Sequence, residues 1–147
     1  MPFVKVYIHC VWTTKNRFPY FKDSRIRHSV WKHIRENAES KGIHIDCING
    51  FCEHCHCLIS LNPEQSISGI IKLLKWESSN WINKQNIFTS KFEWQDEYFT
   101  VSISESMVQI VREYIRNQEI HHQKKSFVDE YNEFIEKYKF KLNKLQN

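Results

Sequence analysis

Asn49-Gly50-Phe51-Cys52-Glu53-His54-Cys55-His56-Cys57-Leu58-Ile59-Ser60-Leu61 is the stretch on which the reading of the fold turns. Two histidines flank one small residue, and an apolar run follows. The Cys and Phe around them and the Leu-Ile-Ser-Leu end read as a buried strand. Strand side chains alternate between faces, so His54 and His56 point the same way. At ~3.3 Å per residue they stand about 7 Å apart along the strand, close enough for both imidazoles to reach one metal ion. The same pattern also describes two buried, hydrogen-bonded histidines, so the pair needs a second reactive group beside it.

Length and composition narrow the class. A chain of 147 residues, 41% hydrophobic and 14% aromatic, suffices for one domain with a packed core. With 3 Gly and 3 Pro it is neither loop-rich nor disordered in composition. No apolar run is long enough to cross a bilayer, and Met1-Pro2-Phe3-Val4-Lys5-Val6-Tyr7 reads as a strand start and not a signal peptide. A cytoplasmic protein with no membrane partner is expected. The net charge of +4 is compatible with nucleic acid and does not establish it.

The five cysteines are Cys10, Cys47, Cys52, Cys55 and Cys57. An odd count without an export signal argues against a disulfide framework. Cys52, His54 and His56 share one strand face while Cys55 and Cys57 share the other, so one extended strand cannot wrap them all around one ion. Structural zinc usually takes two separated Cys-x-x-Cys knuckles, and this chain does not have two. Core-filling cysteines are the better reading.

Around this strand the chain alternates cleanly. Residues 3–14 alternate and are rich in Val, Ile, Tyr and Trp, as a central strand is. They lead into the basic, aromatic loop Lys15-Asn16-Arg17-Phe18-Pro19-Tyr20-Phe21, where cations suit phosphates and rings suit bases. Asp23 or Ser24 caps a helix over 25–41, with Ile26, Val30, Ile34 and Ala38 on its core face and Gly42 as its stop. Residues 43–51 form a second strand with a turn or bulge signal at Asn49-Gly50, antiparallel to the strand His54–Leu61. Ser66 caps a helix over 67–85, with Ile67, Ile70, Ile71, Leu74 and Ser78 inward and Lys72, Lys75 and Lys84 elsewhere on it. Residues 91–95 and 98–103 read as strand pieces around an acidic turn. Ser104 and Glu105 open a helix continuing to Lys125, and an amphipathic helix over 127–139 leads to a polar tail.

The order β-α-β-β-α-β predicts an α+β fold with a ferredoxin-like (RRM-like) antiparallel sheet and helices packed on it. Strands one and three are then central, and the His pair sits mid-sheet. One domain spans 1–147, with a core over about 3–125 and a C-terminal helix and tail over 126–147.

The helix over 104–125 supplies the second reactive group. Tyr114 and Gln118 are four apart on one helix face, and His121 and His122 extend it. A tyrosine hydroxyl over a two-histidine metal site suits attack on phosphorus of a metal-polarised phosphodiester. A side-chain amide is a suitable hard-oxygen ligand. The spacing alone equally describes a packed tyrosine and a surface glutamine.

The string His54-Cys55-His56 with its apolar tail, and about sixty residues on Tyr114-Ile115-Arg116-Asn117-Gln118-Glu119 with His121-His122, resembles the single-tyrosine HUH transposases of the insertion-sequence 200/605 group. Val11-Trp12-Thr13-Thr14-Lys15-Asn16-Arg17, Asn49-Gly50, Trp94-Gln95 and Phe99-Thr100-Val101-Ser102 agree with it, so the likeness runs from about residue 3 to about residue 138. The resemblance implies an IS200-like transposase domain. His54, His56 and Gln118 would bind a divalent metal, Mg²⁺ or Mn²⁺. Tyr114, on a C-terminal helix, would attack single-stranded DNA, leaving a 5′-phosphotyrosine and a free 3′-OH that can rejoin elsewhere. It further implies a homodimer whose active sites are shared between chains, hairpins bound near the element ends, and short guide sequences that select the cleavage site. Lys15, Arg17, Lys72, Lys75 and Lys124 are the candidate DNA-binding cations.

Two departures stand out. The middle position of the pair is Cys55 in place of an aliphatic residue. The segment Asp96-Glu97-Tyr98-Phe99 lacks the glycine that the family commonly places before Phe-Ser-Val-Ser, which predicts a stiffer hinge for the tyrosine helix. His121 or His122 could stand in for Gln118 as third ligand. Competing functions are a related HUH nickase not tied to transposition, a non-catalytic single-stranded nucleic-acid-binding domain, whose mark is exposed aromatics on the central strands, and a zinc-stabilised structural domain.

Overall fold

The computed structural model describes residues 3–133 and residue 136. Four strands, β1 (Val6–Thr14), β2 (His44–Gly50), β3 (His54–Leu61) and β4 (Trp94–Ile103), form one sheet in the order β2-β3-β1-β4. All three pairings are antiparallel, so β1 and β3 are the central pair, as the ferredoxin-like order predicts. The strand expected from Phe3 begins only at Val6, because Val6 faces Leu61 and β3 has no residue beyond it to pair.

Alternation sorts the sheet into two faces. One carries Ile8, Cys10, Trp12, Cys55, Cys57 and Ile59, buried against helices α1 (Ser24–Ser40) and α2 (Ile67–Lys84). Val30, Trp31 and Ile34 come from α1, and Ile70, Ile71, Leu74 and Ile82 from α2. Each fully buried aliphatic side chain stabilises the fold by roughly 1.5–3 kcal/mol, so this is the main core. Cys55 and Cys57 fill it as free thiols. Both helices start at their expected caps: Asp23 accepts from the N–H groups of Arg25 and Ile26, and Ser66 accepts from that of Gly69. Gly42, at φ +73°, follows α1 in the left-handed conformation that helix ends favour.

The second face carries His54, His56 and Leu58 from β3 and His9 from β1. A register shift between Ile45 and Cys47 puts Ile45 in the main core and Cys47 on this second face. On it Cys47 and Leu58 pack with Val108 and Ile115 in a small apolar cluster. Polar clamps do the rest of the docking. Arg112 makes a two-pronged ion pair with Asp46, each contact 2.7 Å, and the Asn49 side chain donates to the Arg116 carbonyl at 3.2 Å.

Two sequence expectations about the sheet need correction. Asn49-Gly50 is not the turn: Gly50 still pairs with Cys55, and the chain reverses over 51–53 with Phe51 N–H bonded to the His54 carbonyl. Gly50 is required because a Cβ there would lie 2.1 Å from the His54 carbonyl oxygen. The two pieces expected around an acidic turn are the single strand β4. Asp96 and Glu97 stay exposed along this sheet edge, where charge is tolerated, and the irregularity is a register shift between Trp12 and Thr14. The glycine-free segment Asp96-Glu97-Tyr98-Phe99 lies within β4, with Tyr98 paired to Trp12 and Phe99 to Val11.

The helix expected over 104–125 is interrupted. A 3₁₀ turn at Glu105–Met107 leads into α3 (Val108–Arg116), and α4 (Gln118–Lys124) follows after Asn117 at φ −94°, ψ 16°. Asparagine competes with backbone hydrogen bonding and is at home at such a break. Residues 127–133 form a further helix, α5. The rest of the helix expected to 139, residue 136 apart, lies outside the described residues, as does the tail.

Candidate active site

The site is built on the second sheet face, with β3 and β1 as floor and α3, α4 and α5 as cover. His54 and His56 are fully buried, their rings 5.0 Å apart. A central strand flanked on both sides by pairing fixes their backbone, which is the rigidity a ligand pair needs.

Each histidine has a partner that orients it. His54 Nδ1 is 2.7 Å from the Glu53 carboxylate, which leaves its Nε2 facing the site. His56 Nδ1 is 2.9 Å from His9 Nε2, and the two rings stack at 5.1 Å. Carboxylate or imidazole behind a histidine is the usual support of a metal-ligating ring.

In front of the pair stands Gln118, fully buried, its Oε1 3.0 Å from His54 Nε2 and 3.1 Å from His122 Nε2. Glu130, from α5, enters beside it. Its Oε1 lies 2.8 Å from His56 Nε2 and 3.9 Å from His54 Nε2, and its Oε2 lies 2.9 Å from His121 Nε2 and 2.8 Å from His122 Nε2. Burial by itself would raise the Glu130 carboxyl, but hydrogen bonds from His122 and His56 outweigh it and hold the group well below the ordinary carboxylate range. Burial pushes His56 down to about 4, against the pull of Glu130, so its ring is neutral and able to present a lone pair at pH 7.

Tyr114 closes the constellation. Its ring is 5.6 Å from that of His56, 6.2 Å from His9 and 5.5 Å from His121. Burial, and then the Glu130 charge, raise its hydroxyl well above the ordinary phenol range. The break at Asn117 leaves Gln118 within reach of the tyrosine's turn, its Nε2 3.4 Å from the Tyr114 carbonyl.

These donors suit a divalent cation. With Nδ1–H given to Glu53, a neutral His54 keeps only a lone pair at Nε2, and it faces a carbonyl oxygen that is also an acceptor. Glu130 Oε2 and His121 Nε2 are buried without a well-aligned hydrogen bond. His54, His122 and Glu130 each offer a ligand atom, all within 4.8 Å of one another.

The sequence-predicted residues thus divide. Tyr114, His54, His56 and Gln118 come together. Arg17 joins their rim, its guanidinium over the rings of Phe127 at 5.5 Å and Tyr131 at 5.0 Å, and exposed Lys124 lies on α4. Lys15 is exposed and paired with Glu93 at 3.0 Å. Lys72 and Lys75 lie on α2, across the sheet from the site, and the Lys75 ammonium is engaged by the Gln95 and Asp96 carbonyls. Glu130, His9 and Glu53 were not singled out from sequence. Glu130 did leave a signal, an acid three residues after Phe127 on the inward stripe of an amphipathic helix. His9 sits at an inward position of an alternating strand.

Beside the site a cleft of about 410 Å³ opens between β1, β4 and α5, lined among others by Asn16, Arg17, Gln95, Tyr98, Glu130 and Tyr131. Among the described residues no helix is long and apolar enough to cross a membrane.

Comparison with known proteins agrees with this architecture. Residues 3–118 match the family model described as "Transposase IS200 like". No curated protein matches the chain. Among solved structures, a protein of Deinococcus radiodurans R1 assigned as a transposase superposes with a TM-score of 0.63 at 21% identity, over 80% of this chain and 93% of that one. A REP-associated tyrosine transposase bound to a REP hairpin superposes with a TM-score of 0.58 at 15% identity, over 84% of this chain and 71% of that one. At these identities the structural likeness establishes the α+β fold and assigns no residue a role.

Proposed function

The chain belongs to the IS200-like transposase family, and from that premise we propose that it cuts and rejoins single-stranded DNA through Tyr114, with a divalent metal held by His54, His56 and Gln118. The observation that carries the reading is the meeting of Tyr114 with the buried His pair, rings 5.6 Å apart, although 58 positions separate Tyr114 from His56 in sequence (114 − 56).

In this reading the Tyr114 oxygen bonds to phosphorus and the bond from phosphorus to the neighbouring 3′ oxygen breaks. The products are a 5′-phosphotyrosine and a free 3′-OH, the phenol proton going, by way of solvent, to the leaving oxygen. The covalent bond conserves the energy of the linkage, and a later 3′-OH can reverse the step at a new partner strand. When bound, a divalent cation would polarise the phosphodiester and offset the Glu130 charge that, after burial, raises the phenol further. Glu53 and His9 hold the two imidazoles in place. The cleft beside the site offers the strand room for a nucleotide, with Tyr98 and Tyr131 as stacking surfaces and Arg17 for phosphate.

The partners in this reading are single-stranded DNA carrying hairpins and a second copy of the chain. The REP hairpin bound by the structural relative supports the first. Exposed Ile110 and Ile120 on α3 and α4 support an apolar contact with a second copy.

The test mixes the full chain with labelled oligonucleotides from both flanks of its gene, with Mn²⁺ or Mg²⁺ and with EDTA. A metal-dependent covalent adduct on a denaturing gel, absent in Tyr114→Phe and in Gln118→Ala, is expected. Hairpin binding without an adduct would instead make the chain a binding protein.

A further inference from the structure

The metal reading above takes two imidazoles and one amide from the protein. The side chains gathered at this point number more than that. Glu130 Oε1 and Oε2 reach His56 Nε2 and His122 Nε2 at 2.8 Å each, His54 Nε2 stands 3.9 Å away, and Gln118 Oε1 is 3.0 Å from His54 Nε2. Two ligand atoms ~2.1 Å from one ion at a tetrahedral angle lie about 3.4 Å apart, so the contacts to Glu130 bracket what a single ion needs. The ligand atoms of His54, His122 and Glu130 all lie within 4.8 Å of one another, and His56 adjoins that group through Glu130 Oε1.

We propose that Glu130 and His122 are ligands of the same cation as His54 and His56, and that this chain therefore selects a first-row transition metal over magnesium. The inference rests on the metal site of the proposed function. Magnesium wants near-octahedral oxygen and keeps much of its water. Three imidazoles and one carboxylate in a buried pocket are the donors that zinc, iron and manganese favour, in rising affinity from manganese to zinc. Glu130 supplies the negative charge that the pair and Gln118 lack, and α5 brings it in buried, at the edge of the cleft.

A second use of the same contact gives the opposite expectation. If α5 only covers the histidines, the Glu130 carboxylate competes with metal, and its removal tightens binding.

The experiment measures Mn²⁺ binding to the full chain without DNA, by the loss of the free-ion paramagnetic resonance signal, with Zn²⁺ and Mg²⁺ as competitors. One Mn²⁺ per chain is expected, displaced by equimolar Zn²⁺ and retained against a hundredfold excess of Mg²⁺. Glu130→Gln and His122→Phe should each weaken Mn²⁺ at least tenfold. Competition by Mg²⁺ near parity, or unchanged or tighter Mn²⁺ binding in Glu130→Gln, overturns the proposal. Should either variant fail to fold, the thermal midpoint of the unaltered chain decides: a rise in the order Zn²⁺, Mn²⁺, Mg²⁺ supports it, and an equal rise with Mg²⁺ overturns it. The two readings fail separately. Selective binding with no DNA adduct removes strand transfer alone, while an adduct formed equally well with Mg²⁺ in Glu130→Gln removes this inference alone.

Discussion

His9 Nε2 stands 2.9 Å from His56 Nδ1, behind the ring and away from the site. While His56 Nε2–H donates to Glu130, His56 Nδ1 accepts from His9. Coordination through Nε2 requires the proton to move to Nδ1 and His9 to become the acceptor. His9 is thus a positioning residue whose ring can serve either tautomer. His9→Phe keeps the ring volume and removes that partner, so Mn²⁺ affinity should fall about 10–100-fold with the fold intact. Circular dichroism beside the metal titration checks it, and an unchanged affinity removes His9 from the site.

Acid should destabilise the metal-free chain, and the sign follows from two buried groups. His56 is pushed from its ordinary 6.5 down to about 4, so between those values the unfolded chain binds the proton more readily. Its contribution is complete above pH 6.5 and is lost as pH falls towards 4. Glu130 is also lowered, so its contribution is present above the ordinary carboxylate value and is lost on further acidification. For His56 the loss is about 3 kcal/mol. Urea unfolding in EDTA at pH 7.5, 6, 5 and 4 should show it, and His56→Asn should flatten the upper part of the curve. A stability independent of pH over this range would contradict the burial argument.

Much of this was legible because the signals are local. Alternation at Val6–Thr14 and His54–Leu61, helical spacing in Val30-Ile34 and Ile70-Leu74, and caps at Asp23 and Ser66 each act within a few residues, and together they dictate β-α-β-β-α-β. The pairing of Tyr114 with the histidines was legible through resemblance to a family and not through spacing. What stayed hidden depends on distant parts of the chain. Glu130 meets His56 across 74 positions, an interval that no local pattern encodes. The break at Asn117 was masked because Tyr114 and Gln118 keep an i,i+4 interval that a continuous helix would also have. Asp96-Glu97 read as a turn because charge in a strand is tolerated chiefly at an edge, and edge position is a tertiary fact.

Gly50 ties the hairpin to the site. A Cβ there meets the carbonyl of His54 itself, at 2.1 Å. Gly50→Ala must therefore shift either the end of β2 or the backbone that carries His54. The expected cost is about 2 kcal/mol or more, with Mn²⁺ affinity lowered in the protein that still folds. Urea unfolding and metal titration on the same preparation test this. Full stability together with full affinity would mean that the hairpin end relaxes freely.

The Asp46–Arg112 pair separates holding the metal from aiming the nucleophile. Asp46 lies in β2 at the register shift, and Arg112 lies in α3 two residues before Tyr114. Hydrogen bonding from Arg112 holds the Asp46 carboxyl below its ordinary range, so the pair is ionised at neutral pH. Arg112→Met keeps the stem of the side chain and removes both prongs, which frees α3 to shift on its small apolar footing. Misplacing a reacting group by about 1 Å can cost as much as a hundredfold in rate. Under the strand-transfer reading, Arg112→Met should lower the rate of adduct formation about tenfold while Mn²⁺ affinity stays within about twofold. An equal fall in both quantities would place Arg112 in the support of the metal and not of Tyr114, and no fall in either would show that Val108, Ile115 and the Asn49–Arg116 bond hold α3 without the ion pair.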